Sequence, residues 1–143
     1  MTGIEEPLNA LSLNKEIDDN KAEHVKLVPC SFQFYSFSAR FEDATCHYHV
    51  IQMNDSIFLY IGNSSHMTNI ALSMIPLNSS KASIGTVLVG EATDNVSVGI
   101  SNKLSKRLSK HVYVSYNYSS EKMIVANVEK RLLEEIAKYP EKF

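Results

Sequence analysis

The chain has little of what marks several classes of protein. It contains no tryptophan, and its 143 residues include only two cysteines, Cys30 and Cys46. Two cysteines cannot form the disulfide framework that holds many small secreted domains together. No apolar run is long enough to cross a bilayer, and the first residues lack the basic start and apolar stretch of a signal peptide. We therefore expect an intracellular protein of the cytoplasm, with the nucleus left open as a second location.

Charge and local motifs also exclude more than they suggest. The 14 basic and 16 acidic residues give a net charge of −2, so nothing favours nucleic acid or an anionic membrane as a partner. The five glycines form no phosphate-binding loop. No serine lies in a nucleophile-elbow pattern. Glu134 and Glu135 are adjacent on a predicted helix, where their side chains should diverge and stay solvated. We expect a protein that is not an enzyme and needs no cofactor.

Residues 45–61 predict a β-hairpin that is apolar on both faces. Asn54 and Asp55 suit a tight turn between its strands. A two-residue loop there would pair Gln52 with Ile57, Val50 with Leu59, and His49 with Tyr60. One face would then carry Cys46, Tyr48, Val50, Ile57, Leu59 and Ile61. The other would carry His47, His49, Ile51, Met53, Phe58 and Tyr60.

His47 and His49 lie on the same face of one predicted strand, and a His-x-His spacing of this kind can hold a metal. A metal site needs a third ligand, and no His or Cys cluster lies nearby in the sequence. We therefore interpret His47 and His49 as interface or core residues and expect no metal.

The rest of the chain predicts further strands and two helices. Residues 1–28 are polar and acidic, which is typical of a disordered leader, and residues 29–143 should form a single domain. A strand should begin at Phe32. Residues 66–75 fit a strand or a helix, and we favour a strand because Pro76 and the following polar residues suit a turn to another strand at 82–89. A last strand should lie at 111–118.

Both helices should be amphipathic, with one apolar stripe each. The first should begin after cap-type residues 93–95 and end near Ser109, and its stripe is Val96, Ile100, Leu104 and Leu108. The second should be capped by Ser119 or Ser120 and end at Pro140. Its stripe is Val125, Val128, Leu132, Ile136 and Tyr139.

These elements predict an α+β fold, a mostly antiparallel sheet of five or six strands with two helices on one face. Two helices of about four turns can cover only one face of such a sheet. Leaving Phe58 and Tyr60 in water would forgo roughly 1.5–3 kcal/mol for each large apolar side chain. We therefore expect the second face to be used for sheet-to-sheet dimerisation.

Four cations on the first helix, Lys103, Lys106, Arg107 and Lys110, form what we call the basic row. Cations near the end of a helix are favoured by its dipole, so the row fits a solvated flank. It also fits a docking patch for an acidic protein surface, and both readings stay open at this point.

Five segments of the chain form an ordered set: residues 37–40 (FSAR), 47–50 (HYHV), 55–62 (DSIFLYIG), 114–117 (VSYN) and 139–143 (YPEKF). In order and in spacing, this set resembles the proteasome assembly chaperone 4 family. The resemblance leaves the leader uncovered.

The resemblance implies a non-enzymatic chaperone that pairs with proteasome assembly chaperone 3 by stacking sheets. Such a pair binds proteasome α-subunits, guides formation of the α-ring and leaves as β-subunits arrive. The basic row is then a candidate for α-subunit docking. The tail Glu-Lys-Phe should not dock into α-ring pockets, so removing Phe143 should leave α-subunit binding unchanged. The alternatives are a sheet-dimerising scaffold or adaptor subunit of another complex, and a small enzyme.

Overall fold

The computed structural model describes residues 25–78 and 82–143. Within them, Ser31–Phe143 form one compact unit. Residues 25–32 form neither helix nor strand. The predicted leader falls almost entirely outside the described residues, so that expectation stays a prediction.

A six-stranded sheet forms the centre of this unit. Its strands are β1 (Gln33–Phe41), β2 (Ala44–Gln52), β3 (Ser56–Gly62), β4 (Ile70–Met74), β5 (Ile84–Val89) and β6 (His111–Asn117). They lie in the order β1-β2-β3-β6-β4-β5. Neighbours are antiparallel except for β3 and β6, which are parallel. The expected α+β fold with a mostly antiparallel sheet is confirmed, as is the choice of a strand within residues 66–75.

The predicted hairpin register and its two-residue loop at Asn54 and Asp55 are confirmed. Gln52 pairs with Ile57, and the amide of Met53 donates to the carbonyl of Ser56 at 2.9 Å. Neither Asn54 nor Asp55 has a positive φ. The positive φ of 54° lies instead at Glu42, in the two-residue turn between β1 and β2. Side-chain alternation therefore fixed the register here without a left-handed turn residue.

Helix α1 (Asn95–Leu108) starts and stops where its sequence predicts. The Asp94 carboxylate accepts a hydrogen bond from the Ser97 amide at 3.2 Å, which caps the first turn. Ser109 then adopts a left-handed conformation and ends the helix.

Helix α2 (Lys122–Lys138) departs from the prediction at its start. Its N-cap is Glu121, which makes no side-chain cap bond. Ser119 instead accepts a hydrogen bond from the amide of Glu121 at 3.3 Å. Because Ser119 lies two residues before the N-cap, the expectation of a serine cap is wrong. A single 3-10 turn, Pro140–Lys142, follows α2.

The core lies between one face of the sheet and both helices. Its members from the sheet include Cys46, Tyr48, Val50, Ile57, Leu59, Ile61, Val112, Val114 and Tyr116. From the helices it takes Ile100, Leu104, Val128, Leu132 and Ile136. The hairpin face that was predicted to carry Cys46 and Tyr48 is thus the covered one. Burial raises the pKa of the Cys46 thiol to about 12, as befits a core residue rather than a reactive one.

A row of buried serines on α1 was not foreseen. Ser97, Ser101 and Ser105 lie four residues apart and are fully buried. The Ser101 hydroxyl lies 2.6 Å from the Ser73 hydroxyl of β4, and Ser105 donates to the carbonyl of Lys110 at 2.8 Å. Small hydrogen-bonded side chains let α1 approach β4 and β6 closely.

Candidate protein interaction sites

The uncovered side of the sheet, which we call the open face, carries one row of side chains across all six strands. Strand register places them in the order Phe34, Ile51, Phe58, Tyr113, Leu72 and Thr86. Five of the six are large and apolar or aromatic. Cross-strand neighbours of this kind pack against one another, so the row forms a continuous apolar band.

Exposure separates the open face from the core face. Phe34 is 70% exposed and Ile84, on edge strand β5, is 62% exposed, whereas Tyr48 and Leu59 on the core face are fully buried. The residues in the middle of the band are half-buried, because only their neighbours in the sheet shield them. Both described helices pack on the other side. A second layer of protein on this face would remove the exposed apolar surface.

Beside the apolar band, the part of the open face around His47 and His49 of β2 and Ser36 of β1 is polar. The His47 and His49 rings lie nearly parallel, with their centroids 6.4 Å apart. His49 Nδ1 is 2.8 Å from the hydroxyl of Ser36, and its ring centroid is 5.9 Å from that of Tyr60. Within residues 25–78 and 82–143, no group of three His, Cys, Asp or Glu residues is placed to hold a metal. The two imidazoles are therefore part of a mixed surface with hydrogen-bonding groups beside the apolar band.

The structure brings together the six residues predicted for the partner interface, His47, His49, Ile51, Met53, Phe58 and Tyr60, around one hairpin on the open side. Their role in pairing stays a prediction. Sequence reasoning missed Phe34, Leu72 and Tyr113 as members of the same surface. Their alternation within β1, β4 and β6 was visible, but only the strand order shows that they extend the hairpin's surface.

The basic row is divided by its contacts. Lys103 forms an ion pair with Glu129 of α2 at 2.5 Å, and the Lys110 ammonium donates to the carbonyl of Phe143 at 3.0 Å. Lys106 and Arg107 are exposed and form no ion pair within the part of the chain that the structure describes. Two of the four predicted docking cations are thus engaged within the domain, and the other two face solvent.

Phe143 belongs to the core and is not a free tail. It is 3% exposed, and its ring centroid lies 6.1 Å from that of Tyr35 and 6.5 Å from that of Phe37. Its carbonyl also accepts from the Gln52 amide at 3.1 Å. Deleting Phe143 would remove these contacts, so such a variant would change the domain itself and cannot test docking of the tail alone.

The expectation that Glu134 and Glu135 are both solvated is wrong for the second. Glu134 is exposed, but Glu135 is 4% exposed and accepts hydrogen bonds from the Tyr35 hydroxyl and from Arg131, the latter at 2.6 Å. Burial by itself would raise the pKa of Glu135, but the two hydrogen bonds outweigh it and the pKa is lowered. The hydrogen bond to Glu135 raises the pKa of Tyr35 to about 12. This cluster ties α2 to edge strand β1.

The described helices offer no route across a membrane, since none combines enough length with enough apolar residues.

Known proteins share this combination of sheet, helices and sequence. The family model of proteasome assembly chaperone 4 matches residues 45–118. Proteasome assembly chaperone 4 of Homo sapiens is 36% identical over 110 residues, which cover 76% of this chain and 89% of the human protein. The Mus musculus protein matches with the same identity and coverage.

A solved structure shares the fold at lower identity. It is a chain from a chaperone complex for yeast 20S proteasome assembly, with a TM-score of 0.57 and 18% identity over 76% of this chain and 98% of that chain. The fold thus defines a small α+β protein with a mostly antiparallel six-stranded sheet and both described helices on one side of it. With both the family model and the sequence relatives in agreement, the chain belongs to the proteasome assembly chaperone 4 family.

Proposed function

We propose that this protein is a non-enzymatic chaperone for assembly of the proteasome core particle, and that it promotes formation of the α-ring. It works as a heterodimer with proteasome assembly chaperone 3, acts in the cytoplasm with the nucleus left open as a second location, and requires no cofactor. Family membership supports the chaperone role. The observation that carries the mode of action is the uncovered apolar band on the open face.

Pairing follows from the shape and chemistry of that face. Two sheets stack about 10 Å apart when their facing side chains interdigitate. Phe58 lies at the middle of the band, with Ile51 on one side and Tyr113 on the other. A central aromatic residue surrounded by apolar neighbours is typical of the residues that dominate binding energy in an interface. A partner with a similar open sheet would cover the band and accept hydrogen bonds from His47 and His49.

Binding of α-subunits has to use a different surface, because the open face is occupied in the pair. The helix side remains outside, and on it Lys106 and Arg107, which form no ion pair with any described residue, lie beside the engaged Lys103 and Lys110. Exposed cations speed encounter with an acidic surface more than they tighten the complex. That property suits a chaperone that must leave when β-subunits compete for its place.

The test compares three tagged proteins, each expressed separately in cells: the wild type, Phe58→Asp, and the control Asn127→Asp. Asn127 is exposed on α2, on the opposite side of the sheet. We expect the wild type and the control to co-purify proteasome assembly chaperone 3 and α-subunits, and Phe58→Asp to lose the partner while keeping its far-ultraviolet circular dichroism. Normal pairing of Phe58→Asp would show that another surface is used. Recovery of a different assembly with the wild type would favour a scaffold subunit instead.

A further inference from the structure

A groove runs between the two helices on the side away from the sheet. It has a volume of about 480 Å³, and it is lined by Arg107 from α1 and by Ala126, Glu129, Lys130, Leu133, Glu134 and Ala137 from α2. We call it the helix groove. The ion pair between Lys103 and Glu129 joins the two helices beside it. Nothing in the pairing of sheets uses this groove, because it faces away from the open face.

The floor of the helix groove includes small, exposed side chains from one face of α2. Ala126, Leu133 and Ala137 recur at the spacing of one α2 face, and both alanines are exposed. The 12 residues from Ala126 to Ala137 span roughly 16 Å along the helix axis, about three turns. Exposed small side chains leave room for the ridge of another helix, whereas an extended strand would gain no hydrogen bonds from helix surfaces.

The charges around the helix groove favour a partner that carries an acidic side chain. Glu129 is neutralised by Lys103. Arg107 and Lys130 form no ion pair within the described residues, and Glu134 is the single acidic side chain left against them. Lys106 adds a further exposed cation next to Arg107. A ligand helix would therefore gain from a carboxylate beside its apolar face.

We propose that the helix groove receives an amphipathic helix of a proteasome α-subunit, one that carries an acidic residue next to its apolar stripe. This inference rests on the proposed function, since it names the surface through which the chaperone pair holds its α-subunit. Leu133 supplies the central apolar contact, and Arg107 and Lys130 pair with the acid.

The experiment measures binding of the purified chaperone pair to each purified proteasome α-subunit in turn, by surface plasmon resonance at low and high salt. Two groove variants fill the floor or reverse its charge: Ala126→Glu with Ala137→Glu, and Arg107→Glu with Lys130→Glu. Matched controls place the same change outside the groove: Asn127→Glu, next to Ala126 but on another side of α2, and Lys122→Glu at the start of α2. Pairing with the partner chaperone is measured for every variant, so a folding defect is recognised.

We expect each groove variant to raise the dissociation constant for the bound α-subunit at least about tenfold, with pairing intact, while both controls stay within about twofold of wild type. The charge-reversed variant should also lose most of the salt dependence. Equal affinity of groove variants and controls would overturn the inference and leave the proposed function standing. Failure of the wild-type pair to bind any α-subunit would overturn both.

A second measurement tests the helical occupant. A photo-crosslinking amino acid at position 126, with position 127 as the control, is activated in the complex with the α-subunit, and the linked peptide is identified. Crosslinks from position 126 to one helix of the α-subunit support the inference. Crosslinks to a strand or an irregular loop would show that the groove receives a different element.

Discussion

Two kinds of position in this protein tolerate substitution poorly. At one kind a charged side chain is buried, and at the other the surrounding atoms leave no space for a Cβ atom. Glu135 illustrates the first case, because its carboxylate is held by Tyr35 and Arg131 in a buried position. Gly62 illustrates the second. Glu135 lies away from the open face, whereas Gly62 pairs with His47 and lies against Tyr60 on that face, so the stability of each variant is measured on the isolated chain.

Replacing Glu135 with Gln should destabilise the domain by about 1–3 kcal/mol at pH 7, because a charged acceptor of two hydrogen bonds is lost. The pKa of Glu135 is lowered in the folded state, so its contribution is present above the ordinary carboxyl pKa and is lost as the pH falls through the lower folded value. The difference from wild type should therefore shrink below about pH 4. Urea unfolding at pH 7 and pH 3 checks this, with exposed Glu134→Gln as the control. A difference that persists unchanged at pH 3 would contradict the assignment.

Replacing Gly62 with Ala should destabilise the domain by about 1–3 kcal/mol, because the new methyl group has no space. A Cβ at this position would lie 2.5 Å from the Tyr60 hydroxyl and 2.8 Å from the carbonyl oxygen of Asn117, and that backbone oxygen cannot swing aside. Gly99→Ala is the matched control. Nothing lies within 4 Å of its Cβ, and alanine in a helix interior should stabilise by roughly 0.5–1 kcal/mol. Thermal melts of both variants should shift in opposite directions.

At the scale of elements, helix α1 is fixed to the sheet by polar contacts as much as by apolar ones. Its buried Ser97 and Ser101 hydroxyls meet Asn69 and Ser73, at 3.4 and 2.6 Å, while Ile100 and Leu104 fill the core beside them. The start of this helix is set by one carboxylate, that of Asp94.

Replacing Asp94 with Ala should cost about 0.5–2 kcal/mol, because the Ser97 amide loses its cap. Asp94→Asn should retain most of the stability, since its side-chain oxygen can accept the same hydrogen bond. Guanidinium unfolding of the two variants distinguishes them. Equal losses would indicate that the charge near the helix start matters more than the hydrogen bond.

At the scale of the whole molecule, the sheet has a covered side and an open side, and we expect the apolar band of the open face to govern association. The isolated chain should self-associate or bind hydrophobic dyes, and its melting temperature should rise when the partner chaperone is added. A partner whose free concentration is 100 times its dissociation constant adds about 2.7 kcal/mol to the free energy of unfolding. Sedimentation and dye binding over a concentration series check this. A stable monomer that binds no dye at high concentration would contradict the need for a partner.

The sequence by itself determined the elements and the two faces of the hairpin. Side chains repeat on one face every two residues along a strand and about every 3.6 residues along a helix. Neighbouring residues alone therefore predicted the pairing of Gln52 with Ile57 and the buried helix stripe through Leu132. The residues predicted for the partner interface around Phe58 followed from the same alternation, and their role in pairing stays a prediction.

Tertiary structure alone decided contacts between positions that are distant in the chain. Strand order placed Phe34, Tyr113 and Leu72 in line with Phe58, and packing paired Lys103 with Glu129, buried Glu135 and drew Phe143 into the core. No local periodicity encodes these contacts, because each depends on how whole elements are arranged in space. The same arrangement created the helix groove and left the open face uncovered by the described helices.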